Sequence, residues 1–155
     1  MWIKLILSVL IIVFCTLLGY VAASKYRSRK QFFAQFQSFN ERYLTELSYS
    51  RRPLSAMLKE FGGGGDFEKL VKKFSETRTP DCKYSYLTKE ERSETGEYLT
   101  MLGRGDSRSQ HEFFASRKGI LSDKKSASEI EAKKRGDLYL KLGLLAGLAF
   151  VILIV

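Results

Sequence analysis

The sequence predicts an all-α protein: a membrane-anchored bundle of about five to six helices, with a transmembrane helix at each end of the chain. Two observations carry this prediction. The apolar residues are segregated at the ends, since residues 5–23 contain no charged side chain and residues 138–155 contain only Lys141. Between these ends apolar residues recur at helical spacing, and no strand-like alternation persists. The first and last bundle helices are therefore expected to continue into the two anchors.

The charge of the chain lies almost entirely between the apolar ends. The 155 residues include 26 Lys and Arg against 17 Asp and Glu, a formal net charge of +9. Residues 24–137 carry 24 of these bases and all 17 acids, which leaves this segment at +7. Two interpretations stay open: the bases contact anionic lipid and set the topology, or the segment binds an acidic cytoplasmic partner. One His and two Cys exclude a disulfide scaffold, a zinc finger and a His-rich metal site.

Residues 5–23 predict the stronger of the two membrane helices. These 19 residues span about 28 Å as a helix, close to the ~30 Å hydrocarbon core of a bilayer. A cleaved signal peptide is the alternative, with a small-residue cleavage site at 21–23. The apolar run is longer than a typical signal-peptide core, and bases follow it at once. These features favour a retained anchor. The bases are Lys25, Arg27, Arg29 and Lys30.

Residues 138–155 predict a weaker membrane helix. Only its last 14 residues are uninterrupted, about 21 Å of helix, which is short of a full crossing. Lys141 can extend its ammonium group to the membrane interface while its stem stays in lipid. Gly143 and Gly147 form a small-xxx-small pair, which predicts close packing against another helix. Such pairs also occur by chance in membrane helices.

The basic residues predict the side of the membrane that each segment occupies. Bases cluster beside both apolar ends on the central side, and outside the spans only Lys4 lies on the other side. The positive-inside rule then gives residues 1–4 outside, a transmembrane helix at 5–23, a cytoplasmic helical bundle at 24–137 and a transmembrane helix at 138–155.

Local signals divide the central segment into helices. An apolar stripe from Phe32 to Leu47 predicts a helix that ends near Ser50, because Pro53 disfavours helix in the residue before it. A second helix is expected from Leu54, ending at the four glycines of residues 62–65.

Three capping signals follow the glycine run. Asp66 is expected to cap a third helix, and Thr88 with Glu91 fits a capping box for a fourth. Ser107 with Gln110 fits a second capping box, which would begin a long helix running into the second anchor.

No arrangement of residues in the sequence predicts catalysis, a metal site or a cofactor. Cys82 and His111 are the one Cys–His combination outside the membrane, and neither lies in a recognisable motif. The glycine run lacks the Gly-Lys-Ser/Thr ending of a phosphate-binding loop and is typical of a flexible hinge. No basic motif interleaved with aromatic residues indicates nucleic-acid binding.

The order of several short motifs resembles the stage III sporulation protein AB family of endospore-forming bacteria. The motifs are Leu18-Gly19-Tyr20, the basic stretch 27–30, Glu46-Leu47-Ser48-Tyr49 with Pro53-Leu54, Leu102-Gly103 with Asp106 and Gln110, and the Leu-Gly-x-x-x-Gly tail at 142–147. The resemblance covers the chain except residues 62–95, where no family pattern is recognisable.

The resemblance implies a non-enzymatic assembly platform. Its cytoplasmic domain would be similar to the F-type platform domain of type II secretion machines. The chain would lie in the outer forespore membrane and face the mother-cell cytoplasm, within the channel complex that joins mother cell and forespore. Its implied partners are the secretion-type ATPase of the complex, stage III sporulation protein AA, the other membrane components and the lipid bilayer. Self-association of the chain is left open.

Two corners of the bundle are the expected docking points for that ATPase, because turns present polar groups that helix interiors bury. One corner comprises Glu46, Tyr49, Arg51 and Arg52, and the other comprises Arg104, Asp106 and Gln110. Structural roles are the alternative: Asp106 and Gln110 would cap the last helix, and Tyr49 would lie in the core.

Two other functions are compatible with the composition. One is a membrane-tethered adaptor or signalling domain for a partner unrelated to secretion, which would lack only the family motifs. The other is a membrane-bound enzyme that uses Cys82 and His111.

Overall fold

In the residues that it describes, the computed structural model contains five α-helices and no strand. It describes the backbone of residues 2–49, 54–60 and 64–154, with side chains throughout except at 3–5, 59 and 154. The helices are α1 (Trp2–Tyr49), α2 (Leu54–Glu60), α3 (Asp66–Thr77), α4 (Lys89–Met101) and α5 (Ser107–Ile154). The predicted all-α class is confirmed, as is the continuity of the first and last helices with the apolar ends.

The chain divides into two compact units. The helix-pair unit comprises Met1–Lys30 and Ala127–Val155, which are the first part of α1 and the last part of α5. The bundle unit comprises Gln31–Ser126 and contains α2, α3 and α4 with the remaining parts of α1 and α5.

Glycines bring the two helices of the helix-pair unit close together. A Cβ atom added to Gly19 would lie 2.6 Å from the Tyr139 carbonyl oxygen, and one added to Gly143 would lie 2.8 Å from the Cys15 carbonyl oxygen. A Cβ atom on Gly147 would lie 3.4 Å from the Cβ atom of Cys15. At Gly19 and Gly143 no side chain fits without movement of a backbone, which is the property that small residues supply between membrane helices.

A polar network occupies the other end of this helix pair. The rings of Tyr26 and Tyr139 stack with centroids 5.8 Å apart. Arg135 donates a hydrogen bond to the Tyr26 hydroxyl at 3.4 Å and forms an ion pair with Glu131 at 3.2 Å. Arg29 also pairs with Glu131, so this one carboxylate links α1 to α5.

Aromatic side chains form the core of the bundle unit. The stripe that the sequence predicts on α1 is buried, and it packs against α3, α4 and α5. Phe36 stacks on Phe67 with centroids 4.4 Å apart and meets Tyr98 edge-on at 4.6 Å. Tyr98 in turn meets Phe114 at 4.8 Å. Such pairs add specific geometry to the free energy of apolar burial.

One fully buried amide connects three helices of this unit. Asn40 donates to the Phe114 carbonyl oxygen at 3.2 Å and accepts a hydrogen bond from the Tyr98 hydroxyl at 2.9 Å. The carbonyl group belongs to α5 and the hydroxyl to α4, so Asn40 fixes how both helices meet α1.

The capping predictions have mixed outcomes. The box at Thr88 and Glu91 is confirmed, with the Glu91 amide donating to the Thr88 hydroxyl at 3.2 Å and the Thr88 amide donating to the Glu91 carboxylate at 3.0 Å. The second box is wrong. Helix α5 begins at Ser107, so Asp106 occupies the capping position, and the Gln110 side chain points into the bundle instead.

The start of α3 also differs from its prediction. Gly65 occupies the capping position and Asp66 is the first helical residue. Glu68 accepts a hydrogen bond from the Gly65 amide at 3.3 Å, so an acidic side chain still pairs with a free backbone amide at the start of the helix. Of the glycine run, Gly64 has a φ of +79°, while residues 61–63 lie outside the described part.

Two helices are long and apolar enough to cross a membrane. The stretches Ile6–Tyr49 and Ser107–Leu153 each contain a strongly apolar window of which 11% is buried within the protein. The large apolar side chains of these windows are mostly exposed, as expected for surfaces that lipid would cover.

A candidate docking cleft in the bundle unit

The bundle unit contains a cleft of about 460 Å³ between the end of α1, helix α2 and the turn that joins α4 to α5. Its apolar wall is formed by Leu47, Leu54 and Met57, and its polar wall includes Tyr43, Glu46 and Gln110. Glu46 belongs to the first predicted docking corner and Gln110 to the second. The fold therefore brings the two corners together at one cleft.

Glu46 carries the charge of the cleft. One of its carboxylate oxygens, Oε2, is buried and has no hydrogen-bond partner among the residues that the structure describes. Helix α1 places Glu46 one turn beyond Tyr43, on the side that borders the cleft. A carboxylate oxygen that is shielded from water without a partner costs free energy, so its presence needs an explanation.

Tyr43 and Gln110 complete the polar wall beside Glu46. The Tyr43 hydroxyl donates a hydrogen bond to the Gln110 side-chain oxygen, which joins α1 to α5. Burial raises the pKa of Tyr43, and a hydrogen bond from the Gly103 backbone offsets part of that effect. The phenol therefore stays protonated and remains a donor throughout the neutral range.

Two glycines shape the turn that closes the cleft. Gly103 has a φ of +73° and Gly105 a φ of +90°, in the left-handed region that favours glycine. A Cβ atom on Gly103 would also lie 3.0 Å from the Cδ2 methyl group of Leu54, so a larger residue there would require this side chain to shift. The Leu-Gly-x-x-Asp spacing thus follows from the geometry of this turn.

Asp106 caps α5 beside the cleft. Its carboxylate accepts a hydrogen bond from the Ser109 hydroxyl, and its carbonyl oxygen accepts from the Gln110 amide at 3.1 Å. The Ser109 hydrogen bond, with backbone amides of the first turn, lowers the pKa of Asp106. The cap orients the first turn, on which Gln110 lies.

The remaining predicted docking residues lie outside the cleft or outside the described residues. Tyr49 is 85% exposed at the end of α1, so it is not a core residue. Arg104 is exposed in the glycine turn. Arg51 and Arg52 fall outside the described residues, and the structure gives no position for them. Sequence reasoning missed Tyr43 as a cleft residue, although its spacing of three from Glu46 is the available signal.

A family model for stage III sporulation protein AB matches residues 4–82 and 63–155. The chain belongs to this family. The matched residues include 63–95, where the sequence shows no recognisable family pattern. No curated protein and no solved structure matches the chain.

The stage III sporulation protein AB family is not a known enzyme family. The two residues of the alternative catalytic centre, Cys82 and His111, lie in different surroundings. Burial raises the pKa of Cys82, and Tyr84, Arg92 and Asp81 are the neighbouring groups that also change this pKa. His111 is exposed on α5. A nucleophilic cysteine needs a lowered pKa. Among the described residues, no cluster of His, Cys, Asp and Glu could hold a metal ion.

The glycines predicted to pack against another membrane helix lie against α1 of the same chain. Gly143 and Gly147 meet the Cys15 and Ile12 region within the helix-pair unit. Gly19, which the sequence did not single out for packing, meets Tyr139 and Gly143 from the other side.

Proposed function

We propose that the chain is a non-enzymatic membrane platform of the stage III sporulation channel complex, and that it docks the secretion-type ATPase of that complex, stage III sporulation protein AA. Family membership supports a role in sporulation. The observation that carries the docking proposal is the cleft, which Glu46 and Gln110 both line although they lie 64 positions apart in the sequence.

The bundle unit has the properties that a docking platform needs. Its aromatic core and the buried Asn40 bridge hold α1, α4 and α5 in one arrangement. The cleft is built on the ends of these helices, so a partner that binds there meets preorganised groups and does not have to order them. Tyr49 and Arg104 are exposed and supply further contact groups.

The proposed location follows from the bases at the ends of the helix pair. Lys25, Lys30, Lys133 and Lys134 are exposed near the inner ends of the apolar stretches. By the positive-inside rule, residues 24–137 face the cytoplasm and both termini lie outside it. The resemblance to the family implies the outer forespore membrane, so this cytoplasm would be that of the mother cell. In this arrangement the helix pair supplies the surface for lipid and for the other membrane components of the channel.

Recovery of the ATPase from sporulating cells tests the proposal. We expect the affinity-tagged full-length chain, solubilised in mild detergent, to retain stage III sporulation protein AA. Reversal of three bases at the docking corners, Arg51→Glu, Arg52→Glu and Arg104→Glu, should reduce that retention severalfold. Arg104 is exposed, and substitutions at exposed positions usually change stability by no more than ~0.5 kcal/mol. Circular dichroism of the variant checks that its helical content is kept.

A control variant distinguishes the loss of contacts at the docking corners from a general effect of the changed net charge. Lys72→Glu, Arg78→Glu and Lys89→Glu make the same charge change at exposed positions away from the cleft. The ATPase should be retained by this control as by the wild-type chain. Equal retention by the corner variant would place the ATPase on another surface, and loss in both variants would indicate an unspecific effect of charge.

A further inference from the structure

We propose that the cleft binds one basic side chain, an arginine or lysine presented by the docked ATPase, and that Glu46 is its counter-charge. This inference rests on the proposed function, because it specifies the chemistry that the ATPase must present. It assigns to the cleft a specificity that the family match does not give.

The first step is the state of the Glu46 carboxylate. Its Oε2 atom is shielded from water and lacks a hydrogen-bond donor among the described residues. Among the described polar side chains of the cleft, the Tyr43 hydroxyl donates to Gln110, and neither Gln110 nor Ser107 donates to this oxygen. Glu46 is also the one charged residue among those found to line the cleft. The carboxylate is thus positioned to accept a hydrogen bond from a group that enters from outside.

The second step is the shape and polarity around that carboxylate. An arginine or lysine side chain has a long apolar stem and a charged head, and it buries the stem while the head makes hydrogen bonds. Leu47, Leu54 and Met57 form a surface that suits the stem. The Gln110 side-chain oxygen has a second lone pair beside the one that Tyr43 uses, so it can accept from the same head group.

The third step is the exclusion of other ligands. The carboxylate would repel a phosphate or an acidic peptide, although the whole chain carries a net charge of +9. A divalent cation requires more oxygen ligands than one carboxylate and one amide provide. A basic side chain is the remaining class that satisfies both the apolar and the polar wall.

The experiment measures the affinity of the purified ATPase for the full-length chain in lipid nanodiscs, with wild-type protein and with Glu46→Gln. The amide keeps the size of the side chain and removes its charge. We expect the affinity to fall by at least about tenfold, because the entering cation loses its buried counter-charge. We also expect the temperature of thermal unfolding to stay unchanged or to rise, because the variant removes a shielded charge that has no partner.

A control variant and the temperature of thermal unfolding distinguish failure of this inference from failure of the proposed function. Glu112→Gln makes the same change at an exposed position on α5 and should leave the affinity unchanged. If Glu46→Gln binds as the wild type does, the inference is wrong while the proposed function stands. If the variant unfolds at a lower temperature, the carboxylate serves a partner within the chain, and the inference is wrong. Absence of binding by the wild-type chain overturns the proposed function itself.

Discussion

At the scale of single residues, buried polar groups decide how the helices of the bundle unit meet. Asn40 is fully buried and makes two hydrogen bonds, one to α4 and one to α5. Apolar stripes allow neighbouring helices to slide along one another, whereas a buried amide is satisfied in one register only. Sequence patterns did not reveal this role, because a single Asn beside an aromatic stripe is equally compatible with an exposed position.

Replacement of this amide tests the register argument. Asn40→Ala leaves the Phe114 carbonyl group and the Tyr98 hydroxyl group buried without their partner, so we expect a loss of about 2–4 kcal/mol in the free energy of unfolding. Denaturant unfolding of the detergent-solubilised protein, followed by circular dichroism, measures the loss. Ser38→Ala, at an exposed position on the same helix, should change the free energy by no more than ~0.5 kcal/mol. A similar small value for Asn40→Ala would contradict the argument.

The cap of α5 gives a prediction on pH. The hydrogen bond from Ser109 lowers the pKa of Asp106, so the folded state favours the ionised carboxylate. This contribution to stability is fully present above the unfolded-state pKa of about 3.9 and is lost as pH falls through the lower folded value. Asn is as good a capping residue as Asp, so the Asp106→Asn variant should be about as stable as the wild type near pH 7. Below about pH 4 the free energy of unfolding of the variant should fall less steeply than that of the wild type. If the stability of Asp106→Asn falls below about pH 4 as steeply as that of the wild type, ionisation of Asp106 contributes nothing to stability.

At the scale of elements, the sequence predicted the helices better than their junctions. Apolar periodicity and Pro53 were enough to locate α1, and the capping box at Thr88 and Glu91 located the start of α4, because each signal acts within a few residues. The convergence of Glu46 with Gln110 was not predictable, since it depends on how distant segments pack. The capping box at Ser107 was predicted wrongly for the same reason: Tyr43, on another helix, takes the Gln110 side chain.

The contact between the two apolar helices can be tested by a new cysteine. In a Cys82→Ser background, a Cys at position 147 would have its Cβ atom about 3.4 Å from that of Cys15, close to the 3.5–4.5 Å range of disulfides. We expect mild oxidation of Gly147→Cys to consume both thiols and leave a monomer on a non-reducing gel. Gly136→Cys is the control, because a Cβ atom there has nothing within 4 Å. Disulfide-linked dimers of Gly147→Cys would instead place these glycines between two chains.

At the scale of the whole molecule, the segregation of apolar and charged residues is the dominant feature, and composition alone revealed it. It predicts that residues 24–137 are cytoplasmic and that both termini are outside. A reporter that fluoresces only in the cytoplasm should therefore stay dark when fused after Val155 and should be bright when inserted in the glycine run at 62–65. Fluorescence at the C-terminal fusion would mean that the second apolar stretch does not cross the membrane.

We propose that this member of the stage III sporulation protein AB family docks a cytoplasmic ATPase through its bundle unit. The most direct measurement is equilibrium binding of purified stage III sporulation protein AA to the wild-type full-length chain in nanodiscs, with empty nanodiscs as the control. We predict saturable binding with a dissociation constant on the order of micromolar or tighter, as expected for a specific assembly contact. Binding no stronger than to empty nanodiscs, at concentrations of roughly a hundred times that value, would contradict the claim.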